Sequence, residues 1–493
     1  MLSLGIDVGS SSVKVSIYDQ NAGKALGTGQ FPATEMTMIA HQTGWAEQEP
    51  EWWWTAFKAA FQQAVQQAGI DAKDLQTIGI AYQMHGLVCL DKNGVPLRPS
   101  IIWCDSRALS IGEAALRHLG DEYVFHNLLN SPGNFTASKL KWVKDNEPAI
   151  FQAIDKICLP GDYIAYKLTG ELTTTITGIS EGIFYDFKEK TLSEPLLAYY
   201  RFPEKIFPPI RAAFDHHGYV SDNIAFELGL STNAKVTYKA GDQPNNALAL
   251  NVLQPGEIAA TAGTSGVVYG VTDELFTDSS QRVNSFAHVN YETTQPRIGI
   301  LLCINGTGIA NAWARKWTKA ESYAAMNEQA LTVECGSEGL QFFPFGNGAE
   351  RMLQNDDIGS ALSGLNFNIH TQAHLYRAVQ EGIAYSFIFG MKTFKENKIA
   401  LKVIRAGDTN MFQSALFGEI VATLSGVEIE LYNTDGALGA ARGALVGAGL
   451  ASFEEVFQSL QKIHSYLPNV EQEATYQALY KRWEDYLLRQ LPS

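Results

Sequence analysis

Apolar and polar positions along the chain alternate between short runs of strand length and longer runs with helical spacing. The opening run LSLGIDV is almost wholly apolar, and VKVSIYD after it alternates a basic or polar residue with apolar ones. Two strands therefore face each other across a turn of one glycine and three serines, Gly9 to Ser12. Glu49-Pro50-Glu51 then supplies the acidic residues and proline of a helix start, and WWWTAFKAAFQQAVQQAG carries that helix to a stop at Gly69. TIGIAYQM reads as a buried strand ending at His85-Gly86, and LVCLDKNGVPL as a hairpin turned at Asn93-Gly94. The second half repeats this grammar. A hairpin around Gly263 precedes the long amphipathic helix TQAHLYRAVQEGIAYSFIFGMKTFKEN, the strand LKVIRAG, a further helix, the strand GVEIELYN and a small-residue helix from Gly436. The result is mixed α/β with a strand-first hairpin in each half.

The two hairpins match in detail. GIDVGSSSVKVSIYD, Gly5 to Asp19, aligns with AATAGTSGVVYGVTD, Ala259 to Asp273, so that Gly9 falls on Gly263, Ser10 on Thr264, Ser11 on Ser265 and Asp19 on Asp273. Such a repeat implies two related half-molecules. Length agrees, since 493 residues exceed the roughly 250 to 300 at which a single core stops growing. The seam falls between Asp242 and Gly256, giving domains of 1–246 and 247–493.

Composition narrows the function class. Hydrophobic residues make up 46% and charged residues 18%, a globular balance. A formal charge of −15 argues against nucleic acid or an anionic membrane as the main partner, although a local site can still bind a small anion. Cys89, Cys104, Cys158, Cys303 and Cys335 show no paired metal spacing, which favours reduced thiols in a cytoplasm. No secretion signal is legible. The nearest approach to a membrane span, Gly436 to Phe453, is mostly Ala and Gly and contains Arg442.

A strand that ends in Gly followed by Ser or Thr gathers backbone N–H groups and hydroxyls at one point, as a polyphosphate requires. Gly9, Ser10 and Ser11 form one such loop, and Gly263, Thr264 and Ser265 the other. Asp7 precedes the first loop, where a carboxylate could hold Mg²⁺ through water, and Lys14 on the next strand could meet phosphate charge. Taken singly, each loop reads better as a tight hairpin turn with surface serines; their duplication reverses the balance toward the phosphate reading. Asp242 follows the apolar approach to Ala240-Gly241, so it is placed at a strand end facing a cleft, or as the cap of a helix from Asn246. Asn305-Gly306-Thr307-Gly308 could pass beside the phosphates, and Gly407 to Asn410 follows a strand as a turn.

These residues resemble a known family. The duplicated hairpin, acidic in the first copy and GTSG in the second, is similar to that of the actin, hexokinase and Hsp70 ATPase superfamily, and more narrowly to the FGGY carbohydrate kinases, with xylulokinases the nearest branch. The likeness runs through GWAEQEPEWWW, YQMHG, LRPSIIWCDSRA, FTASKLKW, LPGDYIAYKLTGE, AGDQPNNA, AGTSG and HLYRAVQEGIAY. It implies two ribonuclease H-like domains around a central cleft, a sugar and Mg²⁺-ATP as partners, and a homodimer. By the same resemblance Asp242 is the catalytic base, and Met84 and His85 join it at the sugar. Gly306, Gly407 and Asn410 lie on the nucleotide side with the two loops. The activity implied is transfer of phosphate from ATP to a sugar hydroxyl, with D-xylulose as acceptor. Ribulose, glycerol or gluconate are the alternatives, and an actin-like ATPase or a sugar sensor stands further off. Asp105 and Arg107 keep the family's Trp-x-Asp-x-Arg pattern and read as a surface ion pair or a wall of the sugar pocket. The chain departs from xylulokinases at Gly241-Asp242-Gln243, which is similar to glycerol kinases, and at Cys104, Asn134 and Gln380; these departures bear on which sugar is taken.

Overall fold

The computed structural model describes residues 1–491. Strand β1 (Leu2–Val8) turns at Gly9 into β2 (Val13–Asp19), and β2 pairs antiparallel with β3 (Lys24–Phe31). Register sets Asp7 opposite Lys14. Helix α1 (Pro50–Ala68) starts at the proline and ends on left-handed Gly69, as the sequence predicts. It lies so close on β3 that a Cβ on Gly29 would stand 2.0 Å from the carbonyl oxygen of Ala60. Strand β4 (Leu75–Tyr82) runs parallel to β1.

The expected hairpin at Asn93-Gly94 is only half present. The turn forms, with Gly94 at φ +74° and its N–H on the carbonyl of Asp91. Pro96 has no N–H to give to a ladder, so β5 (Val88–Leu90) meets it through one bridge. Helix α2 (Thr136–Asn146) intervenes before β6 (Lys156–Cys158), with which β5 pairs instead. Helix α3 (Ile176–Glu181) comes next, and β7 (Lys235–Gly241) completes the sheet in the order β7-β4-β1-β2-β3.

Helix α4 (Asp242–Ala249) begins directly at Asp242, with Gly241 as its cap position. The expected start at Asn246 is therefore four residues late, and Asp242 is not a cap. Pro244 is tolerated because first-turn N–H groups need no helical partner.

The second half repeats the first sheet and extends it. Hairpin β8 (Glu257–Ala262) and β9 (Gly266–Thr272) lies beside β10 (Asn284–Ala287) and β11 (Ile298–Ile304). Helix α5 (Gly308–Thr318) leaves β11, and α6 (Gln372–Glu396) is buried along most of its length. Strands β12 (Val403–Gly407) and β13 (Ile429–Tyr432) run parallel to β8; α7 (Gly436–Gly447) and β14 (Lys462–Tyr466) follow, before the final helix α8 (Glu473–Gln490). The order is β10-β11-β9-β8-β12-β13-β14. Strands β11-β9-β8-β12-β13 reproduce β3-β2-β1-β4-β7 strand for strand.

Helix α7 ties the halves together. A Cβ on Gly5 would lie 1.8 Å from the carbonyl oxygen of Ala437, and one on Gly79 1.9 Å from that of Ala440. Glycine in β1 and β4 thus lets a helix of the second half sit directly on the first sheet. No helix among the described residues is long and apolar enough to cross a membrane.

Candidate active site

Each glycine loop has its carbonyls turned inward. In the first, the Ser10 carbonyl accepts from Gln48 Nε2 at 2.7 Å and the Ser11 carbonyl accepts from the Met36 N–H at 2.7 Å. In the second, the Gly263 carbonyl accepts from the Gly308 N–H at 2.8 Å and the Thr264 carbonyl from the Ile309 N–H at 3.0 Å. In the first loop the Gly9 N–H turns back onto the Ser12 carbonyl at 3.0 Å, so the N–H groups of Ser10 and Ser11 are the donors there that suit a polyphosphate. The first loop also connects to the YQMHG stretch: Gln48 Oε1 accepts from Gln83 Nε2 at 3.2 Å, and Trp103 Nε1 donates to Ser10 Oγ at 3.3 Å.

Asp7, Asp242 and the start of α7 converge between the loops. A Cβ on Gly436 would stand 2.4 Å from Asp7 Oδ2 and 3.4 Å from Asn246 Oδ1. Asn246 lies one turn after Asp242 on α4, so both face Asp7. Burial pushes the Asp242 carboxyl up to about 7, helped by the charge of Asp7. Asp7 is raised to about 6 by burial, with Lys14 opposing and Asp435 adding to the shift. A carboxyl poised near neutrality beside a second carboxylate is suited to take a proton. Among the described residues no group of three or more His, Cys, Asp or Glu could hold a metal ion. One carboxylate is nevertheless what Mg²⁺ needs when nucleotide phosphates and water supply its other ligands, so Asp7 fits that ion.

Met84 and Glu181 close around Gly241, immediately before Asp242. A Cβ there would meet Glu181 Oε2 at 2.5 Å and Met84 Cγ at 2.6 Å, which explains the glycine. His85 is held at φ +61° by three bonds: its N–H donates to Glu181 Oε1 at 3.1 Å, its Nδ1 pairs with the Glu181 carbonyl at 3.0 Å, and its own carbonyl accepts from Lys139 Nζ at 2.9 Å. Burial and the charge of Lys139 drive the imidazole down to about 3, so the ring is neutral. Its ring centre lies 4.7 Å from that of Phe135, in a T-shaped pair, and 5.4 Å from that of Phe286, from the second half.

A cavity of about 420 Å³ opens beside the second loop, walled by Gly263, Thr264, Ile309, Tyr323, Asn327 and Asn410. Asn410, at φ +56°, therefore joins the loop residues. Gly407 ends β12 three residues earlier and is not on that wall. Gly306 is not a free donor: its N–H goes to Glu350 Oε1 at 3.0 Å, and its missing Cβ admits the carbonyl oxygen of Pro344. Ser11 and Lys14 are exposed.

Asp105 and Arg107 are not a surface pair. Both are buried, with Arg107 Nη2 at 2.6 Å from Asp105 Oδ2 and Nη1 at 2.6 Å from Glu47 Oε1. The guanidinium lies 3.8 Å from the Trp45 ring centre and 4.7 Å from that of Trp142. Asp105 Oδ2 in turn accepts the Ala46 N–H at 2.6 Å. This knot fixes the wall that carries Trp103.

Residues 2–249 match the N-terminal domain of the FGGY family of carbohydrate kinases, and residues 258–451 its C-terminal domain. The chain belongs to this family. Like other FGGY kinases it is a sugar phosphotransferase of actin-like two-domain fold, with ATP as phosphoryl donor. It is 28% identical over 485 residues to the xylulose kinase of Escherichia coli (strain K12), covering 96% of each chain. The structure of a ligand-bound xylulose kinase from Lactobacillus acidophilus superposes with a TM-score of 0.88 at 25% identity, covering 98% of this FGGY kinase and 97% of that chain. A gluconate kinase from the same organism has the same TM-score, 0.88, at 24% identity over 100% of this chain and 99% of that one, which shows that the fold does not itself select the sugar.

Proposed function

We propose that the protein transfers the γ-phosphoryl group of ATP to the 5-hydroxyl of D-xylulose. The observation that carries this reading is the placement of Asp242: at the first turn of α4, directly after the glycine that Met84 and Glu181 crowd on one side, and with Asp7 near on the other. A sugar lying against Met84 and the neutral His85 ring brings a hydroxyl to Asp242. The carboxylate takes that proton as the oxygen attacks phosphorus. Gly9, Ser10, Ser11 and Lys14 meet the phosphates from the first half, and Gly263, Thr264 and Ser265 from the second. Asn410, on the cavity wall, belongs to the adenosine side, and Gly407 ends the strand that leads to it. Mg²⁺ held through Asp7 supplies charge neutralisation when bound.

Residues 1–246 are thus the sugar-binding domain and 247–493 the nucleotide-binding domain; the last two positions lie outside the described residues. Support for D-xylulose comes from the xylulose kinase relatives and from Met84-His85 following Gln83. The test is ADP release from Mg²⁺-ATP across D-xylulose, L-xylulose, D- and L-ribulose, glycerol and gluconate. Stimulation by D-xylulose far above the others is expected. Preference for another member would refute the acceptor assigned here.

A further inference from the structure

Glu181 ends helix α3, and that end is pinned from the second half, where the Ala287 N–H of β10 donates to Ser180 Oγ at 2.8 Å. Only 1% of Glu181 is exposed. Its two carboxyl oxygens have different surroundings. Oε1 accepts the His85 N–H at 3.1 Å. Oε2 stands 2.5 Å from the point a Cβ on Gly241 would occupy, a point that Met84 Cγ also reaches at 2.6 Å, and Asp242 follows Gly241 directly. Among the described residues Oε2 accepts no hydrogen bond and Glu181 pairs with no cation. Glu47, Asp105 and Asp162, also buried in the first half, each pair with an arginine or lysine. Lys139 instead donates to the carbonyls of His85 and Ile102. A buried carboxyl with one oxygen unpartnered, set among Met84, His85 and the residue before Asp242, calls for a hydrogen-bonding group there.

The same residue settles what His85 offers. Nδ1 faces the Glu181 carbonyl at 3.0 Å, and a carbonyl can only accept, so Nδ1 carries the ring proton and Nε2 is left as an acceptor. Met84 and Glu181 are buried, whereas His85 and Asp242 keep some exposed surface. One acceptor and one carboxyl oxygen thus flank the proposed base, with a thioether between polar groups. That set suits a chain bearing several hydroxyls, each of which both donates and accepts. We propose that Glu181 is a sugar-binding residue: its Oε2 takes one hydroxyl of the acceptor, His85 Nε2 accepts from another, and together they hold the reacting hydroxyl at Asp242. This rests on the phosphoryl-transfer reading above and deepens it. Burial, with Asp242 and Asp162 adding to it, holds the Glu181 carboxyl well above the usual range, so Oε2 carries a proton that a sugar oxygen accepts.

The test measures kcat/KM for D-xylulose and its 1-, 3- and 4-deoxy forms in wild type, Glu181→Ala, Glu181→Gln and His85→Ala. Wild type is expected to disfavour a form lacking a bonded hydroxyl by tenfold or more. In Glu181→Ala the ratio for one deoxy form falls below threefold, and it is not the form whose ratio falls in His85→Ala. Glu181→Gln still has an oxygen for the His85 N–H and places an amide N–H where Oε2 stood, so it keeps every ratio within threefold of wild type. The KM for ATP stays within twofold throughout. Glu181→Met, similar in length but without a polar end, replaces the Ala variant if that one does not fold. Three results overturn the proposal by leaving the carboxyl only the task of holding the His85 turn: every ratio intact, all ratios lowered alike, or the same ratio lost as in His85→Ala. If wild type prefers another sugar of the panel, the deoxy forms of that sugar decide Glu181 while the D-xylulose assignment alone fails. No sugar-stimulated ADP release at all overturns both.

Discussion

Asp242→Asn removes the proposed base while keeping its size, and the structure sets the size of the effect. With the carboxyl raised to about 7, about half the molecules at pH 7 carry the ionised base, about a tenth at pH 6 and about a hundredth at pH 5. Wild-type kcat/KM therefore falls roughly fivefold from pH 7 to pH 6 and about tenfold over the next unit. The sign follows from the role: a base works deprotonated, so activity is lost as pH drops through the raised value. Asp7, at about 6, adds to the loss only lower down. In Asp242→Asn the limb near pH 7 disappears and the rate drops by about 10² to 10⁴, or about 2.7 to 5.4 kcal/mol of transition-state stabilisation. Folding is not expected to suffer, because one of two mutually repelling carboxylates is gone. The assay is coupled ADP release against pH, with nucleotide affinity and Tm measured in parallel. A variant that keeps wild-type kcat/KM within threefold, or the same limb near pH 7, refutes the assignment.

Glu181 is pushed well above the usual carboxylate range by burial, with Asp242 and Asp162 adding to the shift. A folded-state value above the unfolded one means stability is fully present at low pH and lost as pH rises past the ordinary value. Glu181→Gln, which still accepts the His85 N–H, is thus expected to gain Tm relative to wild type as pH rises above about 4.5, whereas Glu181→Ala loses about 1 to 3 kcal/mol by leaving that N–H unpaired; thermal unfolding across pH checks both. Gly79→Ala places a Cβ 1.9 Å from the Ala440 carbonyl oxygen and must lift α7 from the sheet. Overpacking of that kind costs about 1 to 3 kcal/mol, and a weakened ATP affinity should accompany the fall in Tm. Arg107→Ala leaves Asp105 buried without its counter-ion and Glu47 with Arg98 alone, a loss of about 3 to 5 kcal/mol by denaturant unfolding; Arg107→Lys recovers only part of it, since an ammonium cannot bridge both carboxylates between two indole rings.

Local signals were legible and distant ones were not. Pro50 and Gly69 bound their helix because caps are written in neighbouring residues, and the duplicated Gly-Ser and Gly-Thr-Ser loops revealed the two halves before any contact was known. The partner of Val88–Leu90 was hidden because it lies near residue 157, and only the missing N–H of Pro96 hints that the adjacent arm cannot serve. Asp105 and Arg107 resemble a surface pair in sequence; Trp45, Glu47 and Trp142 bury them from afar. Glu181, which shapes the His85 turn, is 96 residues away from it. One clue was available, a lone carboxylate in the otherwise uncharged run LTTTITGISEGIFY. Lys139 and Lys141 look alike in FTASKLKW, but only the first is fully buried, with its ammonium on two carbonyls. Phe286 reaches the His85 ring only because the second half folds over the first.

The central claim is that the two halves bring ATP and D-xylulose together on Asp242, and ³¹P NMR of a wild-type reaction with Mg²⁺-ATP and D-xylulose tests it most directly. One new phosphomonoester resonance, coupled to the C5 protons and growing as ADP accumulates, is the predicted result. ADP with inorganic phosphate alone, or phosphate on another carbon, would contradict the account.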